Sequence, residues 1–371
     1  MKILVIPTTD WVGHPVPNRL NFIFERLVDN HTVHVCHFKL FEEKIRNTRC
    51  KLIPMDKERG YRVSRYYLAR CVKHANIINK IAPDYDIIVS TNIIPSFFAN
   101  LQDTPMVFDY MDYLPESASI YFDEPLKRLA RLITEFISDI NLNGSVGIIT
   151  PTNRFKEFLS KYIDLDITVI PNGVDTSVIH KTDSTDIERR YSLGHPVLGY
   201  VGSIERWIDL DSIIDIFPCI KDRYYRAKLL IIGPSLHTKY GKMLKNKVDT
   251  LNLQNDIIFT GRIPYKDLAP YISSMDVGLN PRRDMRMNKL TMGSKVLNYL
   301  ACEVPVLSTN MPSLEEEFDK DIGIFVYNNQ DEFLGELHKA IPFQVDSKVI
   351  KKYDWDVISK RYEKALQEFL E

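Results

Sequence analysis

The sequence lacks a long apolar run. Its first ten residues, MKILVIPTTD, reach Pro7 after too few apolar residues for a signal peptide. The longest uncharged stretch, residues 87 to 102, is interrupted by Ser, Thr, Asn and Pro. A membrane-spanning helix needs about 20 predominantly apolar residues. We therefore expect neither a secretion signal nor a membrane span.

Cysteine is also scarce. The chain has five cysteines, an odd number, scattered over the sequence without a CxxC pattern. Proteins of oxidising compartments tend to carry even, closely spaced sets that form disulfides. The pattern therefore predicts reduced thiols and a cytoplasmic location.

Patterns typical of metal sites are weak. His31, His34 and His37 occupy a strand-like segment on which the two-residue alternation separates them, so ligand clustering is not expected. Two DxD pairs occur, Asp164/Asp166 and Asp209/Asp211, and the second opens a helix, where the dipole favours acids. We predict no metal site and no cofactor beyond a co-substrate.

Charge of one sign is not in excess. The 48 Lys and Arg against 49 Asp and Glu give a formal net charge of -1, so no nucleic-acid partner is predicted and any affinity for anionic surfaces must be local. The length of 371 residues exceeds that of one usual domain and fits two domains of roughly 150 to 200 residues.

The stretch GSKVLNYLACEVPVLST, residues 293 to 309, predicts a helix from Ser294 followed by a short strand. A basic loop, PRRDMRMNK, precedes it, and Asp284 is the only acid between residues 277 and 301. The cations of this region are Arg282, Arg283, Arg286, Lys289 and Lys295. Since a helix N-terminus offers free N–H groups and a positive dipole end, we predict a diphosphate-binding site here, with Lys295 at the surface. The alternative is a solvated basic loop.

Short apolar strands alternate with helices on both sides of a polar stretch, residues 175 to 195, which we interpret as a linker. This alternation implies parallel sheets with right-handed crossovers. It predicts an α/β protein with two Rossmann-like domains, residues 1 to 175 and 195 to 353, that face a central cleft. Residues 354 to 371 predict a C-terminal helix, with packing back on the N-terminal domain as one option.

Residues 61 to 82 predict a long amphipathic helix with a cationic side and no acid between Arg59 and Pro83. A solvated charged face explains this pattern, and contact with an anionic lipid surface is the alternative. The membrane-contact candidates are Arg62, Arg65, Arg70 and Lys73.

Five blocks of sequence, in this order, resemble the GT-B glycosyltransferases of the family 4 type. They are VIPNGVD (169 to 175), GYVGSIE (199 to 205), LLIIGP (229 to 234), FTGRIPYKDLAPYISSMDVGLNP (259 to 281) and SKVLNYLACEVPVLS (294 to 308). The resemblance implies transfer of a sugar, with retention of configuration, from a nucleotide-diphosphate donor held mainly by the C-terminal domain. It extends over nearly the whole chain.

The resemblance and the local charges together suggest site residues. Lys295 and Arg286 are candidates for stabilising the departing diphosphate, since that is where negative charge develops. The further donor-binding candidates are Gly13, Gly202, Arg206, Arg262, Lys289, Ser294 and Asn298.

The chain departs from the family pattern at three places. Thr291 and Asn298 occupy the positions of the usual glutamate pair. Ser203 follows Gly202 where an arginine and a lysine are usual. Met111-Asp112 replaces a usual His-Asp, which leaves Asp109 or Asp112 as the available catalytic carboxylate.

Three functions remain open from the sequence. One is a metal-independent glycosyltransferase, peripheral at the inner face of the membrane, that acts on a cell-envelope or polyprenyl-linked glycan acceptor. With these departures the chain resembles a divergent branch similar to the teichuronic-acid-type or other cell-surface glycan transferases. Another is a non-catalytic GT-B module that binds a nucleotide-sugar or glycan beside a partner enzyme, and a nucleotide-sugar epimerase is a third reading.

Overall fold

The computed structural model describes residues 1–56, 63–120, 122–235, 238–319 and 321–371, without the side chains of residues 63–65 and 238. The chain folds into two compact units. The first contains residues 1–172 and 355–371, and the second contains residues 173–354.

The first unit is built on a parallel sheet of seven strands in the order β3-β2-β1-β4-β5-β6-β7. Its elements up to the last strand are β1 Lys2–Ile6, α1 Arg19–Leu27, β2 Thr32–His37, β3 Lys51–Pro54, α2 Val63–Ala69, α3 Cys71–Ile81, β4 Ile87–Ser90, α4 Ile93–Ala99, β5 Met106–Asp109, α5 Leu114–Ser119, α6 Leu126–Asn143, β6 Gly147–Thr150, α7 Asn153–Leu159 and β7 Ile167–Val169.

The second unit is built on a parallel sheet of six strands in the order β10-β9-β8-β11-β12-β13. Its elements are α8 Thr185–Tyr191, β8 Val197–Val201, α9 Leu210–Arg223, β9 Lys228–Ile232, α10 Thr238–Thr250, β10 Ile257–Gly261, α11 Leu268–Ser273, β11 Val277–Asn280, α12 Arg286–Leu290, α13 Ser294–Ala301, β12 Val306–Thr309, α14 Pro312–Glu317, β13 Ile324–Tyr327 and α15 Gln330–Ala340. The last helix of the chain is α16, Trp355–Glu368.

The strands are apolar because both faces of each sheet are covered by helices. In β1, the four residues from Ile3 to Ile6 are fully buried. Since the carboxyl ends of parallel strands share one edge, the loops that follow the strands of one sheet lie at one edge of that unit. The predicted α/β class with two Rossmann-like halves is confirmed.

The predicted linker, residues 175 to 195, is part of the second unit. It contains α8, and Ile179 and Ile187 are buried in the core of that unit. Helix α8 has only seven residues, too few to show an apolar period, so the sequence did not reveal it. The chain passes between the units after residues 172 and 354 instead.

The helix predicted for residues 61 to 82 is two helices, α2 and α3, separated at Arg70. The Arg70 guanidinium pairs with the buried carboxylate of Asp56 at 2.8 Å and lies 5.0 Å from the ring centroid of Tyr66. Lys73 pairs with the same carboxylate at 2.8 Å. Two of the membrane-contact candidates, Arg70 and Lys73, therefore hold α3 to the chain that follows β3.

The other two candidates on this segment cannot be placed in the same way. Arg62 lies outside the described residues, and Arg65 lies in α2 but its side chain is outside the described part.

Helix α16 belongs to the first unit. The Trp355 ring stacks on Phe22 at a centroid distance of 5.0 Å, and Tyr362 is fully buried against Phe24. The last helix therefore completes the core of the first unit.

Candidate functional site

Three glycines lie at the carboxyl ends of β8, β9 and β10 in the second sheet. Gly202, Gly233 and Gly261 have φ angles of 144°, 143° and 73°, which L side chains rarely adopt. The N–H of Gly202 donates to the carbonyl of Ile232 at 2.9 Å, and the N–H of Gly233 donates to that of Gly261 at 2.9 Å. A methyl group on Gly233 would collide with the Gly202 carbonyl oxygen. The strand ends therefore pack backbone against backbone.

Lys295 lies in the first turn of α13, beside Gly202. Its side chain is buried, with a residue exposure of 9%, and its Nζ donates to the Tyr200 hydroxyl at 3.1 Å. A Cβ atom on Gly202 would lie 3.3 Å from that Nζ. Burial, and then the charge of Arg282, lower the pKa of Lys295 well below its usual value. The prediction of a surface lysine is wrong, because α13 packs its first turn against the end of β8.

Arg282 lies at the beginning of α13. A Cβ atom on Gly293 would meet its guanidinium, so the arginine lies against the backbone that precedes Ser294. Its Nη1 donates to Asn288 Oδ1 at 3.0 Å. Asn288 is fully buried and donates in turn to two backbone carbonyls of the preceding loops. The two cations Lys295 and Arg282 are thus held near one helix N-terminus.

Arg283 turns away from this group. Its Nη1 lies 2.9 Å from Asp209 Oδ1, and its Nη2 pairs with Asp211. The second DxD pair therefore already binds a guanidinium. Among the described residues, no three His, Cys, Asp or Glu side chains form a group that could hold a metal ion.

The remaining donor-side candidates lie further out. Lys289 pairs with the exposed Asp284 at 2.5 Å. The exposed candidates are Arg206, Arg262, Arg286, Lys289 and Ser294. Asn298 is half-buried. Arg206 lines a polar cavity of about 400 Å³ with Lys239, Tyr240 and Arg283. The structure thus brings Gly202 and Lys295 into contact.

Tyr200 and Arg282 were missing from the predicted site residues. Tyr200 precedes Gly202 by two residues in the block GYVGSIE, and its hydroxyl donates to the Ser203 carbonyl at 2.8 Å. A tyrosine on a strand otherwise made of Val, Leu and Gly is the signal that could have indicated it. Arg282 was one of several loop cations, and only packing against Gly293 distinguishes it from the others.

In the first unit, the structure separates the two candidate carboxylates. Asp109 is buried with an exposure of 1%, 3.3 Å from Arg19 Nε, and accepts a hydrogen bond from Tyr362 at 3.0 Å. Burial raises the pKa of Asp109, although the charge of Arg19 opposes the shift. Asp112 is exposed in the loop after β5. Asp109 is therefore a buried partner of Arg19, and Asp112 is the accessible carboxylate.

Gly13 is buried in the loop after β1. A Cβ atom there would lie 2.9 Å from Asp10 Oδ2 and from Phe41. Its N–H donates to Asp10 Oδ1 at 2.8 Å. The close approach of Asp10 explains why this position has no side chain.

Comparisons with known proteins identify the family of the chain. Residues 195–341 match the family model described as "Glycosyl transferases group 1", and residues 23–178 match "Glycosyltransferase Family 4". Together the two matches span most of the chain. The chain belongs to the group 1, family 4 glycosyltransferases.

Two curated glycosyltransferase relatives match with 24% identity. One is the alpha-monoglucosyldiacylglycerol synthase of Streptococcus pneumoniae, over 60% of this chain and 49% of the relative. The other is TuaH of Bacillus subtilis, named for teichuronic acid biosynthesis, over 51% of this chain and 48% of the relative. The chain spans about half the length of these relatives.

Solved structures share the GT-B glycosyltransferase fold. A sucrose-phosphate synthase from Thermosynechococcus elongatus matches with a TM-score of 0.78 at 13% identity, covering 99% of both chains. HepE from Anabaena, in complex with UDP and glucose, matches with a TM-score of 0.74 at 15% identity, covering 99% of this chain and 100% of HepE. Within the described residues, no helix has the length and apolar character needed to cross a membrane.

Proposed function

We propose that the chain is a retaining glycosyltransferase that moves a sugar from a nucleotide-diphosphate-sugar to a cell-envelope or lipid-linked glycan acceptor. The observation that carries this proposal is the burial of Lys295 beside Gly202, with Arg282 at the start of the same helix. The two basic side chains and the helix N-terminus lie together beside the end of β8. Such a site is suited to a diphosphate.

Breaking the bond between the anomeric carbon and the phosphate leaves negative charge on the departing diphosphate. Fixed positive groups lower the barrier most when they are already oriented and shielded from water. Lys295 meets both conditions, since it is buried and bonded to Tyr200. Arg286 and Lys289, both exposed on α12, are assigned to the outer phosphate and the sugar.

We assign the acceptor side to the first unit. The acceptor hydroxyl must lose its proton as the new bond forms, and Asp112 is the accessible carboxylate after β5. Asp109 has no such role in the proposal. Asn298 is assigned to a ribose hydroxyl, because an amide can both donate and accept.

The acceptor class rests on the relatives. One relative is named for a glucosyldiacylglycerol and the other for teichuronic acid, both components of cell envelopes. The donor class is supported by HepE, which was solved with UDP-glucose. We place the protein in the cytoplasm, in keeping with its free cysteines.

One observation favours a non-catalytic binding module as the second candidate. Thr291 stands where the family carries a glutamate, and it is buried with its hydroxyl donating to the Met287 carbonyl at 2.9 Å. That position therefore supplies no negative charge to a ligand.

The test has two stages. Thermal stabilisation by UDP, GDP and their sugar conjugates identifies the donor, and transfer is then measured with a panel of lipid-linked acceptors. NMR of the product reports the anomeric configuration. Stabilisation by a donor without any turnover would leave the binding module as the function.

Chelation provides a further arm of the test. Because Lys295 and Arg282 supply the positive charge in this proposal, transfer should persist in EDTA. An absolute requirement for manganese or magnesium would refute the assigned phosphate site.

A further inference from the structure

Asn288 of α12 is a fully buried amide that binds three partners. Its Nδ2 donates to the Trp207 carbonyl at 3.0 Å and to the Arg283 carbonyl at 2.9 Å. Its Oδ1 accepts from Arg282 Nη1 at 3.0 Å. A carbonyl can only accept and a guanidinium can only donate, so both kinds of neighbour fix the same orientation of the amide. Asn288 therefore presents a fixed acceptor to Arg282.

The two carbonyls that Asn288 binds belong to loops that are tied together. The N–H of Arg283 donates to the Trp207 carbonyl at 3.1 Å. The guanidinium of Arg283 lies with Nη1 2.9 Å from Asp209 Oδ1, and its Nη2 pairs with Asp211. The loop after β11 is thus bound to the loop after β8 and to the start of α9. This attachment holds both carbonyls in place around the amide.

The guanidinium of Arg282 extends from Asn288 to the beginning of α13. Asn288 binds its Nη1, whereas its Nη2 is the atom that a Cβ on Gly293 would meet first. Gly293 is the N-cap residue of α13 and has a φ angle of -69°, which any residue adopts. Glycine therefore provides space at this position. The guanidinium lies at the helix N-terminus because an amide holds one end of it and no side chain occupies the other.

This arrangement orients a cation before any ligand arrives. An arginine that is free to rotate loses side-chain entropy when it binds an anion, and an arginine that is already held loses less. The planar fork of a guanidinium also binds phosphate oxygens only in certain orientations. The contacts of Arg282 therefore bear directly on how tightly a diphosphate binds at the N-terminus of α13.

We propose that Asn288 and Gly293 are positioning residues that orient Arg282 for binding the diphosphate of the donor. The inference rests on the proposed function, because it explains how one cation of that donor site is placed. Asn288 acts through Arg282 and not by touching the ligand, since it is fully buried.

The test is a double-mutant cycle on the full chain, with the affinity for UDP and GDP measured by calorimetry. Asn288→Ala should weaken binding of the nucleotide diphosphate roughly tenfold, because a hydrogen bond between charged groups is then poorly made. Arg282→Met should weaken it at least as much. In the Arg282→Met background, Asn288→Ala should cause no further loss, because residues that act through one another are not additive.

Gly293→Ala tests the same point without removing a buried amide. The methyl group fits the backbone angle but would displace the Arg282 guanidinium. Binding should weaken roughly tenfold, for the same reason as in Asn288→Ala, and this loss should disappear in the Arg282→Met background. The melting temperature without ligand should change little, since only the end of a flexible side chain has to move. A residue with a purely structural role would not show this pattern.

Two variants serve as matched controls. Asn141→Ala removes a fully buried amide of the first unit that donates to the Ile93 carbonyl at 2.8 Å. Gly335→Ala adds a methyl group to an exposed glycine of α15. Both should leave the affinity for UDP and GDP unchanged.

The outcomes separate this inference from the proposed function. If the unmodified chain binds UDP or GDP and the losses from Asn288→Ala and Arg282→Met add, Asn288 only stabilises the loop and the inference is wrong. Affinity equal to that of the parent in Gly293→Ala would overturn it as well, and this variant decides if Asn288→Ala does not fold. If the unmodified chain binds neither nucleotide, the proposed donor site fails together with the inference.

Discussion

Lys295 is a cation that the free protein stabilises poorly. Its hydrogen-bond partner is the neutral hydroxyl of Tyr200, and the charge of Arg282 acts on it in the unfavourable sense. Its pKa in the folded protein is lowered, so the unfolded chain binds the proton more tightly. The contribution of this group to stability therefore rises with pH between the folded pKa and the unfolded value of about 10.4. A bound diphosphate would reverse the shift by supplying the missing negative charge.

We therefore predict that binding of UDP or GDP is accompanied by proton uptake at pH values between the lowered pKa of Lys295 and its ordinary one. Calorimetry in buffers of different ionisation enthalpy measures this uptake. Lys295→Met should abolish it and lower turnover on the order of a hundredfold or more. The melting temperature without ligand should stay the same or rise, because an apolar chain replaces a desolvated cation.

The exposed Lys266 provides the control for this variant. Lys266→Met should retain proton uptake and transfer. If Lys295→Met transfers sugar as well as the parent does, the leaving-group site lies elsewhere.

The two carboxylates after β5 should separate stability from activity. Asp109→Asn leaves the buried Arg19 without its charge partner and should lower the free energy of unfolding by about 3 kcal/mol. Asp112→Asn changes an exposed residue and should alter stability by less than about 0.5 kcal/mol while slowing transfer. Urea unfolding and a transfer assay on both variants measure the two effects. Normal transfer by Asp112→Asn would remove it from the proposed mechanism.

At the scale of elements, the loop after β1 is organised by one carboxylate. Asp10 accepts hydrogen bonds from the backbone N–H groups of Val12, Gly13, Leu40 and Phe41. Burial alone would raise the pKa of Asp10, but hydrogen bonds from His37, Gly13 and Phe41 lower it to about 2. The ionised carboxylate therefore ties the loop after β1 to the chain that follows β2.

We predict a corresponding loss of stability in acid. A carboxylate with a lowered pKa contributes stability above its unfolded pKa of 3.8, and this contribution is lost as the pH falls toward 2. The loss amounts to about 2 kcal/mol for Asp10. Asp10→Asn should be less stable at neutral pH and should lose less on acidification, as measured by urea unfolding at several pH values. Equal acid sensitivity of the variant and the parent would contradict this account.

The glycines at the strand ends provide a matched pair of variants. Gly233→Ala forces a side chain onto a positive φ and into the Gly202 carbonyl, and should cost about 3 kcal/mol or more while weakening UDP or GDP binding. Gly261→Ala meets no atom within 4 Å and should cost about 1 kcal/mol for its φ angle alone. Thermal unfolding measures both. If both variants lose a similar free energy of unfolding, the backbone contact between Gly233 and Gly202 does not constrain the carboxyl edge of the second sheet.

At the scale of the whole molecule, the first unit is made from two distant segments of the chain. Helix α16 buries Trp355, Ile358 and Tyr362 in that unit, and Tyr362 donates to Asp109. The core of the first unit is therefore completed by a helix that follows the whole second unit in the sequence.

We predict that a chain ending at residue 354 lacks a folded first unit. Calorimetry should show that the unfolding enthalpy of this unit is lost, because the aromatic core that α16 supplies is absent. A chain ending at residue 369 removes Leu370 and Glu371, which are both exposed, and should unfold like the parent. A cooperative first unit in the chain that ends at residue 354 would show that α16 is dispensable.

The sequence by itself determined the fold class and the position of helix α13, whose role in phosphate binding stays a prediction. Both depend on local signals, namely apolar strands that alternate with helices and a basic loop before Ser294. Such signals are readable because period and charge repeat over a few residues. The short helix α8 and the break at Arg70 were not readable, since seven residues show no clear period and Arg70 is paired with Asp56.

Only the tertiary structure decided which side chains meet. Tyr200 and Lys295 are 95 residues apart in the chain, and their contact exists because β8 and α13 pack in the same unit. Burial likewise makes Asp109 a partner of Arg19 and exposes the apolar side of α6. Burial depends on many contacts between residues distant in the chain, whereas the sequence pattern reports only near neighbours. The same residue type can therefore be predicted as buried or as exposed until the fold is known.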